Sequence, residues 1–402
     1  MTSQFVVGVD GGTTKTIALV ADDRGHILGA GRGGNSNWSG PDVEEPMCVV
    51  VAAVQEALGQ AGLSGDHVAA GVFCLAGADW PEDHERRQAV LARGGIARRV
   101  IVKNDALAGW RAGTRQPYGV VIAAGTGTNT CVVAPDGREW CYGYYAWYGG
   151  AVTLSQEAIE AVLRQEDGRG APTTLTPLVL NWLGYPTVDD LLKAIVADQL
   201  DHERVLALCP LVFEAAHAGD DVATDLIVKQ GLALAGYATA AIRRFEMRDL
   251  EFDVVLSGSL FKGQGPLLID TVTQAIHHVA PRARIARVQF EPAVGAVLLA
   301  YDVLGIAVSE EMVHNLVQTA PGPEFFSTHA GEPSRQDPAC HSERSEVAYD
   351  ALGLTVSEEM VHNLAQTAPG LEFFSTHAGE LSRQDPACHS ERREESPTQA
   401  AS

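Results

Sequence analysis

The chain has 402 residues, 46% of them hydrophobic, enough for two domains of ordinary size around a large core. It carries 29 basic against 51 acidic side chains and no basic run, which excludes nucleic acid as an expected partner. No apolar run reaches the ~18 residues of a membrane span, the start lacks a basic leader, and the cysteines are scattered singly without CxxC spacing; the expectation is a cytoplasmic protein with reduced core thiols and no membrane partner.

Residues 6–20, VVGVDGGTTKTIALV, read as a β-hairpin, because β-branched residues flank two glycines that can take up a tight turn. The tip gathers Asp10, Gly11, Gly12, Thr13, Thr14 and Lys15, offering backbone donors, hydroxyls, a cation and a carboxylate. Those are the groups that hold a phosphate chain and its magnesium. The pattern GxxxxGK[ST] is absent and the turn leads into a strand, which excludes a P-loop. Taken alone, the tip fits a plain glycine turn between core strands equally well. A third strand is expected at 26–30, followed by a polar loop at 31–40 with Asn35, Asn37 and Trp38, a helix at 49–61 and a buried strand at 69–75 that ends in Ala76, Gly77, Ala78 and Asp79. A helix at 82–93 precedes a strand at 99–102, which delivers Asn104 and Asp105 to the start of another helix. Open α/β sheets place functional groups at that position, although capping is the commoner role of a lone aspartate there.

From residue 118 the pattern begins again: a strand at 119–124, the turn GTGTN at 125–129, a strand at 130–134 and a turn at 135–137. Strands on both sides of GTGTN argue against a dinucleotide fingerprint, which must open a helix. The chain therefore reads as two related α/β domains, whose hairpin tips could clamp a triphosphate from both sides of a cleft. The run WCYGYYAWYGG at 140–150 suits either core packing or a wall for a flat ligand. Residues 151–242 read as mostly helical; a strand at 253–256 runs into Ser257, Gly258 and Ser259, a helix follows at 266–279, then a strand at 286–290 and an apolar helix at 293–304. Residues 301–346 recur almost unchanged at 349–394, and two near-identical copies point to recent duplication, not a solenoid. Half of the net charge of −22 lies from Gly305 onward. The sets His329, Cys340, His341 and His377, Cys388, His389 lack zinc spacing, so the tail is expected to be a weakly ordered appendage with one short helix per copy, at 309–318 and 357–366.

Four pieces in order, GVDGGTTKT at 8–16, AGTGTN at 124–129, LSGSLF at 256–261 and EPAVGAVLLA at 291–300, resemble the N-acetylglucosamine kinase and BadF-type ATPase family, within the superfamily of actin, sugar kinases and heat-shock ATPases. LAGADWPEDHERR at 75–87 and NDALAG at 104–109 match in order and spacing, and the similarity spans residues 4–305. The resemblance implies two ribonuclease-H-like (actin-like ATPase) domains, 1–117 and 118–290, with an ATP cleft between them. It further implies a helix at 291–305 that returns to the first domain, with the duplicated tail filling 306–402. Asp10 would hold Mg2+ through water, with Gly11, Gly12, Thr13, Thr14, Lys15, Gly125, Thr126 and Gly127 around the ATP phosphates and Gly258 and Ser259 bordering the adenosine. Asp105 would be the general base, and Asn37, Asn104, Thr128, Asn129, Gly143 and Tyr144 would join it around the sugar.

The implied activity is an ATP-dependent kinase acting on a hydroxyl of an amino sugar or related small molecule, in a family whose members are often homodimers. One departure bears on the acceptor: the family's GDEG-like sugar-binding segment is Gly149-Gly150-Ala151-Val152 here, without a carboxylate. Tyr144, Tyr145, Trp147 and Tyr148 could stack on the acceptor instead. The alternatives are an iron-sulfur ATPase that activates a dehydratase or reductase, for which Cys131 and Cys141 do not form a cluster loop, and a non-catalytic sugar-binding regulator.

Overall fold

The computed structural model describes residues 4–38 and 42–327. Two five-stranded sheets organise it. The first holds β1 (Phe5–Gly11), β2 (Thr16–Asp22), β3 (Ile27–Gly33), β4 (Val68–Leu75) and β5 (Val100–Asn104) in the order β3-β2-β1-β4-β5. The second holds β6 (Gly119–Ala124), β7 (Thr128–Val133), β8 (Glu139–Cys141), β9 (Asp253–Ser257) and β10 (Arg284–Arg287) in the order β10-β9-β6-β7-β8. In each sheet an antiparallel three-strand meander is joined, through its first strand, to two parallel strands. The architecture is thus repeated, as the second hairpin in the sequence suggested. β10 starts at Arg284, two residues before the expected strand, because its pairing with β9 begins at Arg284 opposite Asp253.

Val6, Val7 and Val9 are fully buried, so β1 is covered on both faces and reads as a hydrophobic run, as the central strand of a sheet buried on both faces should. Gly8 is the exception that admits a helix. A Cβ there would lie 2.2 Å from the Val297 backbone nitrogen, so only glycine lets the helix Pro292–Leu304 lie directly on the strand. That helix and the helix Asp105–Gly113 fill the space between the sheets. Val6, Ile17 and Val72 of the first sheet share one core with Val121 and Val255 of the second and with Ala296, Val297 and Tyr301. Arg111 clamps the two helices together, its Nε and Nη2 donating to the Asp302 carboxylate over 2.7 and 3.2 Å. The core between the sheets therefore fixes where the ends of their strands stand.

The expectation of a weakly ordered tail from residue 306 is corrected for residues 306–327. They form the helices Glu310–Thr319 and Pro323–Phe326, and Met312, Leu316 and Phe326 are buried in the core between the sheets. Ser309 caps the first of these helices by accepting from the Met312 N–H, and Glu310 and Glu311 occupy its first turn. The segment covers the open edge of β3. Thr319 accepts from the Ile27 N–H (2.8 Å), Asn315 donates to the Arg24 carbonyl (2.9 Å), and Arg32 donates to the carbonyls of Phe325 and Ser327. Leu316→Ala should cost about 2–4 kcal/mol in urea unfolding of the full chain, as a buried leucine does, whereas an unattached tail would give no change. The second copy of the repeat, with its expected helix at 357–366, and the histidine and cysteine sets of both copies lie outside the described residues.

The expectation of reduced, unpaired thiols is also corrected. Cys131 and Cys141 form a disulfide, with Cα atoms 4.0 Å apart, because the β7–β8 register sets them directly opposite one another. Among the described residues Cys74 and Cys209 are buried thiols and Cys48 is exposed.

Candidate functional site

The expected site residues lie where the parallel strands of both sheets end. Asp10 is the last residue but one of β1, opposite Ile17 on β2 and Cys74 on β4, and the turn beyond it is tied by the Gly12 N–H donating to the Lys15 carbonyl over 2.9 Å. Thr13 and Thr14 are exposed at the tip. Ser36 donates its N–H to Gly12, and Thr16 donates to the Ser36 hydroxyl over 2.7 Å, which draws the loop bearing Asn37 against the hairpin. The Lys15 ammonium donates to the Phe326 carbonyl, so the cation expected at the phosphates is held by the C-terminal segment in this structure.

Across the cleft, Gly125, Thr126 and Gly127 link β6 to β7, with the Gly125 N–H donating to the Gly127 carbonyl. The helix Gly150–Glu166 starts on this loop: the N–H groups of Ala151 and Val152 donate to the carbonyls of Gly125 and Thr126 over 2.8 and 3.0 Å. Gly150 has φ 84°, and a Cβ on it would lie 2.6 Å from the Thr126 carbonyl oxygen. The neutral segment 149–152 thus seats a helix on the loop. Gly258 follows β9 and Ser259 opens a short 3-10 helix, with the Ser259 hydroxyl close to Gly125.

At the other end of the cleft Asn104 caps the helix Asp105–Gly113, its Oδ1 accepting from the Ala106 N–H over 3.0 Å. Its Nδ2 donates to Asp79 Oδ1 over 2.7 Å and to the Ala78 carbonyl over 3.2 Å. From the second sheet, Asn129 Nδ2 donates to the same Asp79 oxygen (3.3 Å) and to Asn104 Oδ1 (3.2 Å), while its Oδ1 accepts from the Gly143 N–H. Gly143, at φ 52°, lies against Asp79; a Cβ there would come within 2.5 Å of Asp79 Cβ. The rings of Trp80 and Tyr144 meet at 4.5 Å across the same gap. Asn104, Asp105, Asn129, Gly143 and Tyr144 are therefore brought together as expected. The Thr128 hydroxyl, by contrast, donates to the Ala123 carbonyl inside the hairpin.

Of the two readings of residues 140–150, core packing holds for part of the run. Trp140 and Tyr142 pack edge-on with Arg244 stacked over Trp140, and Tyr148 donates to Glu157, whereas Tyr145 and Trp147 are exposed.

Two residues escaped the sequence-based assignment of roles. Asp79 was visible only as the end of a strand, and its contacts come from distant segments, Asn104 of its own sheet and Asn129 of the opposite one. Arg87 is fully buried, donates to the Trp38 carbonyl over 3.2 Å and lies 5.4 Å from the Trp38 ring. Among the described residues its Nε and Nη1 have no partner. A charged residue with its neighbours along a helix, such as DHERR, gives no sign in sequence of which one turns inward.

The site is crowded with negative charge. Burial raises Asp10 from 3.8 to about 7, reinforced by the charges of Asp105 and Glu291 against the opposing pull of Lys15. Burial raises Asp105 to about 6, with Asp79 adding to it and the Ala106 N–H and Arg87 opposing. Asp79 is raised too, by burial and then by Asp83. Carboxylates set close together and away from water favour a cation. No group of three or more metal-ligating side chains occurs among the described residues, so Mg2+ here would rest on Asp10, water and phosphate oxygens, the oxygen-only set that this ion prefers.

The profile of the BadF/BadG/BcrA/BcrD ATPase family matches residues 7–300. The chain is 27% identical over 322 residues to the N-acetyl-D-glucosamine kinase of Dictyostelium discoideum, covering 75% of this chain and 99% of that protein. It is 25% identical over 301 residues to the N-acetylmuramic acid/N-acetylglucosamine kinase of Clostridium acetobutylicum, covering 74% of this chain and 98% of the relative. A crystal structure from Chromobacterium violaceum, provisionally named an N-acetylglucosamine kinase, superposes with a TM-score of 0.57 at 23% identity over 74% of this chain and 99% of its own, which shows that the two share a fold. The match over residues 7–300, which runs through both of the repeated sheets, establishes the chain as a member of the BadF/BadG/BcrA/BcrD ATPase family.

Proposed function

We propose that this protein is an ATP-dependent kinase that transfers the γ-phosphate to a hydroxyl of an amino sugar. The observation that carries the reading is that Asp10 and Asp105, at the ends of β1 and β5, lie close enough for the Asp105 charge to act on Asp10, while Asn129 of the second sheet reaches Asp79 and Asn104 beside them. Phosphoryl transfer needs alignment and charge neutralisation more than covalent chemistry from the protein, together with a carboxylate near the nucleophile. In this reading Asp105 accepts the proton of the attacking hydroxyl. Asp10 orients the water shell of Mg2+, which when bound neutralises phosphate charge. Thr14 and Thr126 donate to the phosphates from opposite sides, and Gly258 and Ser259 border the nucleoside. Asn37, Asn104 and Asn129 orient the acceptor, and closure of the two halves keeps out water, the competing acceptor. Kinases of amino sugars among the relatives support the same acceptor class for this chain.

The test is ADP release by the full chain with Mg2+ and ATP, against glucosamine, N-acetylglucosamine, N-acetylmannosamine, glucose and non-sugar alcohols. Acceptor-stimulated turnover with an amino sugar is expected; ATP hydrolysis that no sugar stimulates would overturn the reading.

A further inference from the structure

We propose that Asp79 is an acceptor-binding residue and that its carboxylate favours an acceptor carrying a protonated amine over the neutral N-acetyl or hydroxyl counterpart. The proposal rests on the kinase reading above and identifies what takes over from the carboxylate absent at 149–152. The argument starts from position. Asp79 lies four residues beyond β4 and Asp105 directly follows β5, so the two carboxylates stand beyond the ends of neighbouring parallel strands. They are close enough that, after burial, the Asp79 charge is the largest influence on Asp105.

Hydrogen-bond accounting comes next. Asp79 Oδ1 accepts from both Asn104 and Asn129, which fixes the two amides with their nitrogens turned toward the carboxylate. The second N–H of each amide goes to the Ala78 carbonyl and to Asn104 Oδ1, and the two carbonyl oxygens are taken by Ala106 and Asn129 on Asn104 and by Thr130 and Gly143 on Asn129. Asn104 and Asn129 therefore hold Asp79 and Gly143 in place, and it is through Asp79 that they orient the acceptor. Asp79 Oδ2 accepts no hydrogen bond among the described residues, and it is the one oxygen of this network left for a ligand. A carboxylate oxygen only accepts, so its ligand must donate.

Charge then ranks the donors. The charge of Asp79 acts on Asp105 and that of Asp105 on Asp10, and the guanidinium that opposes the first two, Arg87, is buried with its Nη2 on the Trp38 carbonyl. A hydroxyl or amide N–H satisfies Oδ2 but leaves the excess negative charge; an ammonium does both, through a charge-assisted bond about twice as strong as a neutral one. Glycine at 143 belongs to the same arrangement, since a side chain there would displace Asp79.

The experiment compares Asp79→Asn with the unaltered full chain, measuring kcat and KM for glucosamine, N-acetylglucosamine, glucose and ATP. Asparagine keeps the size of the residue and one carbonyl oxygen for Asn104 and Asn129. The expected result is a rise of about 30-fold or more in KM for glucosamine, about threefold to tenfold for the two neutral sugars, and no change in KM for ATP or in the unfolding midpoint. Equal losses for all three sugars, or a kcat loss with unchanged sugar KM, would overturn the proposal while leaving the kinase reading intact. Absence of turnover with any sugar in the unaltered chain would fail the kinase reading itself, and titration of glucosamine by calorimetry against both proteins still decides Asp79: equal affinities would overturn it.

Discussion

In an Asp105→Asn variant, sugar-dependent ADP release falls by about 10²–10⁴-fold at saturating substrates, the range spanned by loss of a general base, while affinity for ATP is retained. Asparagine preserves the hydrogen bond that the Asp105 Oδ1 accepts from the Ala106 N–H, so helix capping and the position of the side chain survive. What is lost is proton affinity. The same residue sets the acid limb of the rate profile. A base must be ionised to take a proton, and Asp105 is raised to about 6 by burial and by Asp79, so kcat rises as pH climbs through about 6 and levels above it. Bound Mg2+ places positive charge in the cleft and moves that limb lower, never higher. A kcat that stays flat from about pH 5 to about pH 8 would remove Asp105 from the proton transfer.

The second large effect separates stability from activity. Asp10 is raised from 3.8 to about 7, first by burial, so the fold favours its neutral form. A group raised in this way contributes stability that is complete below its unfolded pKa and is lost as pH rises through the folded value, here between about 4 and about 7. At about pH 8 the apo protein therefore carries a buried charge at a cost, and Asp10→Asn should raise the unfolding midpoint by ~2–4 °C, or about 1–2 kcal/mol once the partial exposure of Asp10 is allowed for. At about pH 4 the two proteins should unfold together. The variant should also lose at least ~10²-fold in turnover, because the ligand that orients the ion's water shell is gone. Mg2+ with nucleotide should close the stability gap by stabilising only the unaltered chain. Stability gained with activity lost is the mark of a strained functional carboxylate; a variant less stable at every pH would assign Asp10 a structural role.

The sequence made the framework of this site legible because its signals are local. Glycines between β-branched runs mark both hairpins, and a carboxylate at the seam between a strand and a helix marks Asp105. The repeat of hairpin and parallel strands then fixed the two-sheet architecture, and the order of the motifs was enough to resemble one family. What escaped depends on pairings between distant segments. Asp79 follows β4 by four residues, yet its partners are Asn104 on β5 and, from the second half of the chain, Asn129 and Gly143. The Cys131–Cys141 pair is separated by ten positions, a spacing that becomes a bond only through the β7–β8 register. Residues 306–327 are acidic and sit inside a duplicated stretch, which concealed that Met312, Leu316 and Phe326 carry enough apolar surface to dock on the edge of β3. The GGAV segment was read by what it lacks, whereas its glycines let a helix start directly on the Gly125–Gly127 loop.

The most direct test of the kinase reading is the mass balance of a single reaction. The full chain is incubated with Mg2+, ATP and glucosamine, and ADP and sugar phosphomonoester are quantified together by phosphorus NMR. The account predicts equal amounts of the two products, formed by the unaltered chain and lost in Asp105→Asn. ADP with inorganic phosphate and no sugar phosphate, at the same rate in both proteins, would contradict it.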